Sequence, residues 1–303
     1  MSKITIPCDF YSYWSVFLTL KCNFNCPFCI QKTAGKVAEY KLASGRDWVN
    51  ALNSIANRRK KKYLFLNKAK KIALIGGEPT MHPDFFEIVN GLDYDWNITI
   101  TSNLCSPVFN DIPGFAKKLK RRRKFRINSS FHEGPVGAKE FIRRVHELKR
   151  VGLPVNRIFT VCWPPDDLGR FQEYSRVFKE NGLFLEKQRY GGFYKEKFYP
   201  FSGNEDEFEF KDNIKDYGEY ARGCALADRR KILCKMDKVL FAPDGTIYNC
   251  HYKIYSGSGD SYGNIFSGSS KVSIPDDYFQ CNDYGFCNPC DWPSAKFKNI
   301  GVK

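Results

Sequence analysis

"LKCNFNCPFCIQK", residues 20–32, sets three cysteines, Cys22, Cys26 and Cys29, at the spacing C-x3-C-x2-C. It follows directly on the apolar, β-rich run "WSVFLTL" (14–20), so the thiols begin where a first strand ends. One turn of loop can aim three thiolates at one place. A structural zinc site takes four ligands, usually from paired C-x2-C units. Here only one such unit occurs, with no fourth Cys or His nearby. A [4Fe-4S] cube held by three cysteines instead leaves one iron open to a ligand that is not protein.

Working outward, β-rich runs alternate with helical stretches. Strands are expected at 14–20, 71–77, 96–103, 125–132, 157–163 and 183–189, with helices near 40–58, 83–91, 112–121, 137–151 and 167–181. The fourth helix has the plainest pattern, Phe141, Val145 and Leu148 recurring at helical spacing with Lys and Arg on the other face. Such alternation builds right-handed βαβ units and a parallel sheet. The expected class is α/β, a partial (β/α)6 barrel over residues 1–190, in preference to an open doubly wound sheet. Near residue 190 the rhythm breaks, and 191–222 is read as a connector. Residues 223–303 form a different unit, in which "MDKVLFAPDGTIYNC" (236–250) reads as two strands around a Pro-Asp-Gly turn. The rest of that unit is poor in apolar periodicity and needs a staple to fold.

The chain has 303 residues, 43% of them hydrophobic and 27% charged, with a net charge of +15. No run approaches the roughly 18 apolar residues of a membrane span, and the start "MSKITIPCDFYSYW" lacks the pattern of a signal peptide. A cytoplasmic, reduced chain is therefore expected, in which twelve cysteines point to metal rather than to disulfides. The positive charge concentrates in 57–71 and 117–126, which join a helix to the next strand and so lie at the strands' N-terminal ends. Active sites of such folds lie at the opposite face. A solvated basic face complementing helix dipoles is the first reading; a dock for nucleic acid is the other.

C-x3-C-x2-C after the first strand, with an aromatic (Phe28) before the third cysteine, resembles the signature of the radical S-adenosylmethionine (SAM) superfamily. "GGEPT" (76–80) at the end of the second strand resembles that family's motif for the SAM amino group. The resemblance covers roughly residues 12–190. It implies that Cys22, Cys26 and Cys29 hold a [4Fe-4S] cluster whose open iron chelates SAM, and that one electron cleaves the sulfonium to a 5′-deoxyadenosyl radical. It further implies that Gly76, Gly77 and Glu78 lie at the SAM amino group and that Phe28 packs near adenine. Ser102, Asn103, Ser129 and Ser130 become candidates for the SAM carboxylate and ribose.

Cys234 and Cys250 flank the expected hairpin as C-x10-G-x4-C, with Cys287 and Cys290 following as C-x2-C. Taken alone, four cysteines would suit structural zinc as well as iron. The pattern resembles the twitch and SPASM extensions of the same superfamily, and by that resemblance these four would hold one auxiliary [4Fe-4S] cluster. Six cysteines from Cys224 to Cys290 are too few for the two clusters of a full SPASM unit. Cys224 and Cys281 are left over as spare ligands, buried thiols or hydrogen donors.

The expected function is hydrogen abstraction from a small molecule, a sugar or a peptide, with a net oxidation assisted by the auxiliary cluster and an electron donor such as flavodoxin or ferredoxin. A peptide maturase, or an epimerase with a cysteine hydrogen donor, is the alternative. The short stretch before the first cluster leaves no room for an N-terminal peptide-recognition domain. A basic zinc protein that binds nucleic acid is the reading from another class. His132 and Glu133, after the fourth strand, are candidate substrate contacts, and Asp244 and His251 are weaker ones.

Overall fold

The structure, a computed structural model, describes residues 13–31, 37–55, 70–134, 136–162, 167–189, 192–194, 197–199, 232–236, 238–257, 259, 261–267, 278–280 and 295–299. Six strands alternate with five helices: β1 (Tyr13–Thr19), α1 (Gly45–Ser54), β2 (Lys70–Gly76), α2 (Phe85–Gly91), β3 (Trp96–Ser102), α3 (Ile112–Lys118), β4 (Phe125–Ser130), α4 (Ala138–Arg150), β5 (Val155–Cys162), α5 (Asp167–Glu180) and β6 (Leu185–Arg189). Each strand pairs in parallel with the next from β1 to β6. This is the partial barrel that the sequence leads one to expect.

Strand parity explains the layers, since alternate side chains point to opposite faces. Trp14, Val16 and Leu18 of β1, Ile72 and Leu74 of β2, and Trp96, Ile98 and Ile100 of β3 join one core with Trp48, Phe85 and Phe115 of the helices. The intervening positions face the concave side. Among them Phe17 and Ile75 belong to a second, smaller cluster.

After β6 come β7 (Gly192–Tyr194) and β8 (Lys197–Tyr199), a short antiparallel pair in the stretch where the sequence rhythm breaks. Then follow β9 (Ile232–Met236), β10 (Lys238–Phe241), β11 (Ile247–Tyr248), α6 (His251–Ser256), β12 (Phe279–Gln280) and β13 (Ala295–Asn299). The hairpin read from Pro-Asp-Gly is present as β10 and β11. Gly245 there has φ +83°, and a Cβ would stand 2.2 Å from the Phe266 ring, so the turn requires glycine. β10 runs parallel to β1, with Val16 opposite Phe241, so the hairpin extends the barrel sheet to the order β11-β10-β1-β2-β3-β4-β5-β6. β9 instead pairs with β12 and β13.

The second cluster binds this C-terminal hairpin to the cysteine loop. Leu240, Ala242, Tyr248, Ile254 and Tyr255 pack with Phe17, and Leu20 and Ile30 of the cysteine loop lean on them. Residues 38–43 strap across the same unit: Ala38 N–H donates to Tyr255 O (2.7 Å), the Tyr40 hydroxyl to Ile254 O (2.8 Å) and Ala43 N–H to Pro243 O (3.0 Å). Leu240 is fully buried where these pieces meet. Leu240→Ala is expected to cost about 2–5 kcal/mol, as large-to-small core changes do. A chemical-denaturation midpoint within error of the wild type would contradict that.

The basic run 117–126 leads into β4 at the strands' N-terminal ends, as read from sequence; most of the run 57–71 lies outside the described residues. Part of its charge is structural. Arg121 donates to the carbonyls of Leu92 and Trp96 and stacks 5.2 Å from the Tyr94 ring centre. No helix among the described residues is long and apolar enough to cross a membrane.

Candidate functional site

At the opposite face β1 ends in the cysteine loop. Cys22 is exposed, Cys26 and Cys29 are half-buried, and none of the three is in a disulfide. A turn closes Cys29 N–H onto Cys26 O (3.2 Å), which brings the last two thiols to one side of the loop. Phe24 N–H donates to Cys22 Sγ (3.4 Å), while Cys26 Sγ lies 3.2 Å from His132 Nδ1. Burial pushes the Cys22 thiol up, and the nearby Glu78 and Cys29 charges add to the rise against the Phe24 N–H.

Among the described residues no three His, Cys, Asp or Glu side chains are drawn together as ligands of a single ion. An iron–sulfur cube makes no such demand, because each cysteine binds a different iron. Three thiols in one loop, with no fourth cysteine beside them among the described residues, fit a site-differentiated cluster.

The tip of β2 is tied to this loop through its backbone. Gly77 N–H donates to Thr19 O (2.8 Å) and Glu78 N–H to Lys21 O (2.9 Å). A Cβ on Gly76 would stand 2.1 Å from Thr19 O, and one on Gly77 would stand 2.1 Å from Lys21 O. Glycine is thus required for the two strand ends to approach.

Glu78 follows the glycine tip and is buried. It is 1% exposed, and its carboxylate accepts from Thr80 N–H (3.3 Å), Thr80 Oγ1 (2.6 Å), Ser102 Oγ (2.9 Å) and Asn103 N–H (2.9 Å). Burial raises its pKa, and these donors only partly offset that. Glu78 therefore braces the ends of β2 and β3 together, and Ser102 is spent on the same brace. Asn103 reaches the cysteine loop, its Nδ2 donating to Asn23 Oδ1 (2.9 Å) at 3.8 Å from Cys22 Sγ.

Ser129 shares the parity of Ile127, on the helix side; its buried hydroxyl has no hydrogen-bond partner among the described residues. Ser130 has the opposite parity and belongs to the concave side. Phe28 is buried and stacks on His132, ring centres 5.1 Å apart at 27°. His132 is pushed down to about 4 by burial. Phe28 also lines a small, open cleft with Glu133, Thr160, Val161, Cys162, Arg170, Phe171 and Tyr174. Glu133 and Arg170 form an ion pair at its edge, 3.8 Å apart. Asp244 Oδ1 accepts Thr246 N–H (3.0 Å) inside the hairpin turn, and the His251 ring packs 5.5 Å from Phe17.

Of the second cysteine group, Cys250 is half-buried at the N-terminal cap of α6, and the backbone of Cys234 pairs with Phe279 and Phe297. Cys287, Cys290, Cys224 and Cys281 lie outside the described residues.

The sequence reading missed Asn23, Thr80, Leu104 and Arg144. A signal existed for Arg144: it stands three residues after Phe141 on the apolar stripe of α4, not on the polar face with the other basic residues.

A family model described as Radical SAM superfamily matches residues 16–176. Among curated proteins, "Probable GTP 3′,8-cyclase" of Thermococcus kodakarensis is 24% identical over 213 residues, 64% of this chain and 64% of that protein. The chain thus spans just under two-thirds of that relative's length. Among solved structures, Streptococcus suis SuiB bound to precursor peptide SuiA aligns with a TM-score of 0.55 at 14% identity, covering 88% of this chain and 65% of that one. SuiB bound to S-adenosylmethionine gives 0.52 at 13% identity, covering 90% and 67%. The two alignments speak for a shared fold.

Proposed function

The chain belongs to the radical SAM superfamily, and on that premise we propose that it cleaves SAM reductively and uses the product radical to abstract a substrate hydrogen. The observation that carries this reading is the three-thiol loop bonded, strand end to strand end, to the glycine tip of β2. Cys22, Cys26 and Cys29 would hold the [4Fe-4S] cluster. When bound, that cluster supplies one electron to the SAM sulfonium, which breaks into methionine and a 5′-deoxyadenosyl radical.

The chain's own residues bind and orient. Because no Cβ stands at Gly76 and Gly77, the end of β1 closes onto the tip of β2, and the backbone so joined would receive the amino acid end of SAM. Glu78 acts by holding Asn103 and Ser102 in place beneath that end. Ser130, on the concave side, is the ribose candidate, whereas Ser129 faces away from it. The cleft beside Phe28, lined by Phe171 and Tyr174 as well as by Glu133 and Arg170, is the candidate place for the adenine edge.

Cys234, Cys250, Cys287 and Cys290 are proposed as ligands of one auxiliary [4Fe-4S] cluster, in keeping with a net oxidation and an external donor such as flavodoxin or ferredoxin. A peptide is the favoured substrate class, supported by the fold shared with SuiB, whose solved complex holds a precursor peptide. The cyclase relative keeps a small-molecule substrate as the second reading.

Anaerobically reconstituted protein treated with dithionite and SAM tests this. Release of 5′-deoxyadenosine, with about eight irons and matching labile sulfide per chain, is the expected result; about four irons would leave only the first cluster. No 5′-deoxyadenosine from protein that holds its iron would overturn the proposal.

A further inference from the structure

Leu104, at the tip of β3, is among the described residues the one non-glycine residue at positive φ, +57°. A side chain in that region crowds its own backbone, so surrounding contacts must hold it there. Its side chain is fully buried in the main core. Two tethers grip its backbone. On one side Leu104 N–H donates to Ser102 Oγ (3.0 Å), which is itself bonded to Glu78. On the other, the buried guanidinium of Arg144 on α4 donates Nη1–H to Leu104 O at 2.7 Å. Arg144 completes its bonds with Glu140 (2.8 Å) and Asn110 (3.4 Å). If Leu104 left this conformation, Arg144 would lose its carbonyl partner in the interior, which is costly for a charged donor.

The turn has a product. It directs the carboxamide of Asn103 so that Oδ1 accepts Cys105 N–H (2.8 Å) while Nδ2 reaches Asn23 Oδ1 (2.9 Å) beside Cys22. We propose that Arg144 is a positioning residue for the cysteine loop: through the carbonyl of Leu104 it holds the left-handed turn that presents Asn103 to Asn23 and Cys22. The proposal rests on Cys22 being a cluster ligand.

The test uses the full chain, anaerobically reconstituted, with SAM as the probe. Arg144→Met, Arg144→Lys and the double variant Arg144→Met/Leu104→Gly are compared with wild type. The readouts are iron per chain, thermal melting, and SAM affinity from the change SAM makes in the electron paramagnetic resonance spectrum of the reduced cluster. Arg144→Met is expected to keep its iron but to bind SAM ~10–100-fold more weakly, the usual size of an outer-shell loss. Leu104→Gly in that background should regain SAM affinity while melting lower, because glycine takes the left-handed turn without a tether but leaves the space of the buried leucine empty. Arg144→Lys, with charge but a single point of donation, should fall between.

An Arg144→Met protein whose SAM affinity and spectrum stay within about twofold of wild type overturns the proposal. So does a loss that Leu104→Gly does not recover, for Arg144 is then a support of the fold alone. If Arg144→Met does not fold, Arg144→Lys with and without Leu104→Gly makes the same comparison. A wild-type chain that takes up no iron removes the parent reading and this proposal with it, whereas SAM binding unchanged by Arg144→Met removes this proposal alone.

Discussion

Cys26→Ala is expected to give a folded protein that no longer assembles its first cluster and forms 5′-deoxyadenosine only at the level of a protein-free control. The thiol sits in a loop beside His132, outside every strand and helix of the barrel, so its removal takes little from the core. Its contribution to iron binding is of another order. Each cysteine of a three-thiol site holds its own iron, and no other cysteine of the loop can replace it. Outer-shell partners of metal sites already cost 10–100-fold when lost, so a ligand should cost more than ~100-fold in SAM cleavage. Iron and labile sulfide per chain, 5′-deoxyadenosine and a circular-dichroism melt check this together. Cys105→Ala is the companion variant. That thiol, pushed up to about 11 by burial, stays protonated on the tip of β3 and is expected to keep wild-type iron. A Cys26→Ala protein with full iron and SAM cleavage would remove the loop from the chemistry.

The second large effect is expected at Gly77. An added Cβ would stand 2.1 Å from Lys21 O and 2.6 Å from Leu20 O, both backbone atoms that cannot step aside alone. Gly77→Ala must therefore push the strand end away from β2, breaking the Gly77–Thr19 and Glu78–Lys21 bonds and carrying Cys22 with it. Overpacking of this kind costs about 1–3 kcal/mol. The functional loss is expected to exceed what that stability change explains, because the displaced atoms lead directly into the first thiol. Denaturant midpoints set beside the visible absorbance of the reconstituted cluster separate the two. Gly76→Ala adds backbone strain, since Gly76 has φ +134°, and is expected to melt lower still. A Gly77→Ala protein that assembles its cluster as the wild type does would show that the strand ends need not approach so closely.

Much of the fold could be read without coordinates, because its causes are local. The apolar runs at 14–20, 71–77 and 96–103 alternate with helical stretches, and that rhythm alone leads to a parallel sheet with helices outside it. Pro-Asp-Gly at 243–245 marked a turn through backbone preference, and the hairpin is there. The placement of the three thiols and the paired glycines just after β1 and at the end of β2 was legible in their spacing from the apolar runs. The site was not legible where it depends on which face of a strand a side chain leaves. Glu78, Ser102 and Ser129 stand at strand ends, as expected. Yet Glu78 and Ser102 bond to one another beneath the tip, and Ser129 shares its parity with the helix-side core.

Sequence by itself determined the α/β order and the place of the thiols after the first strand, since these follow from periodicity and chain direction. Tertiary structure alone decided that the C-terminal hairpin continues the barrel sheet beside β1, that Glu78 is a brace, and that Arg144 reaches Leu104 forty residues away. Those outcomes depend on hydrogen-bond partners distant in sequence. A buried carboxylate or guanidinium takes whichever donors and acceptors the packed elements bring to it, and no local pattern along the chain records which those are.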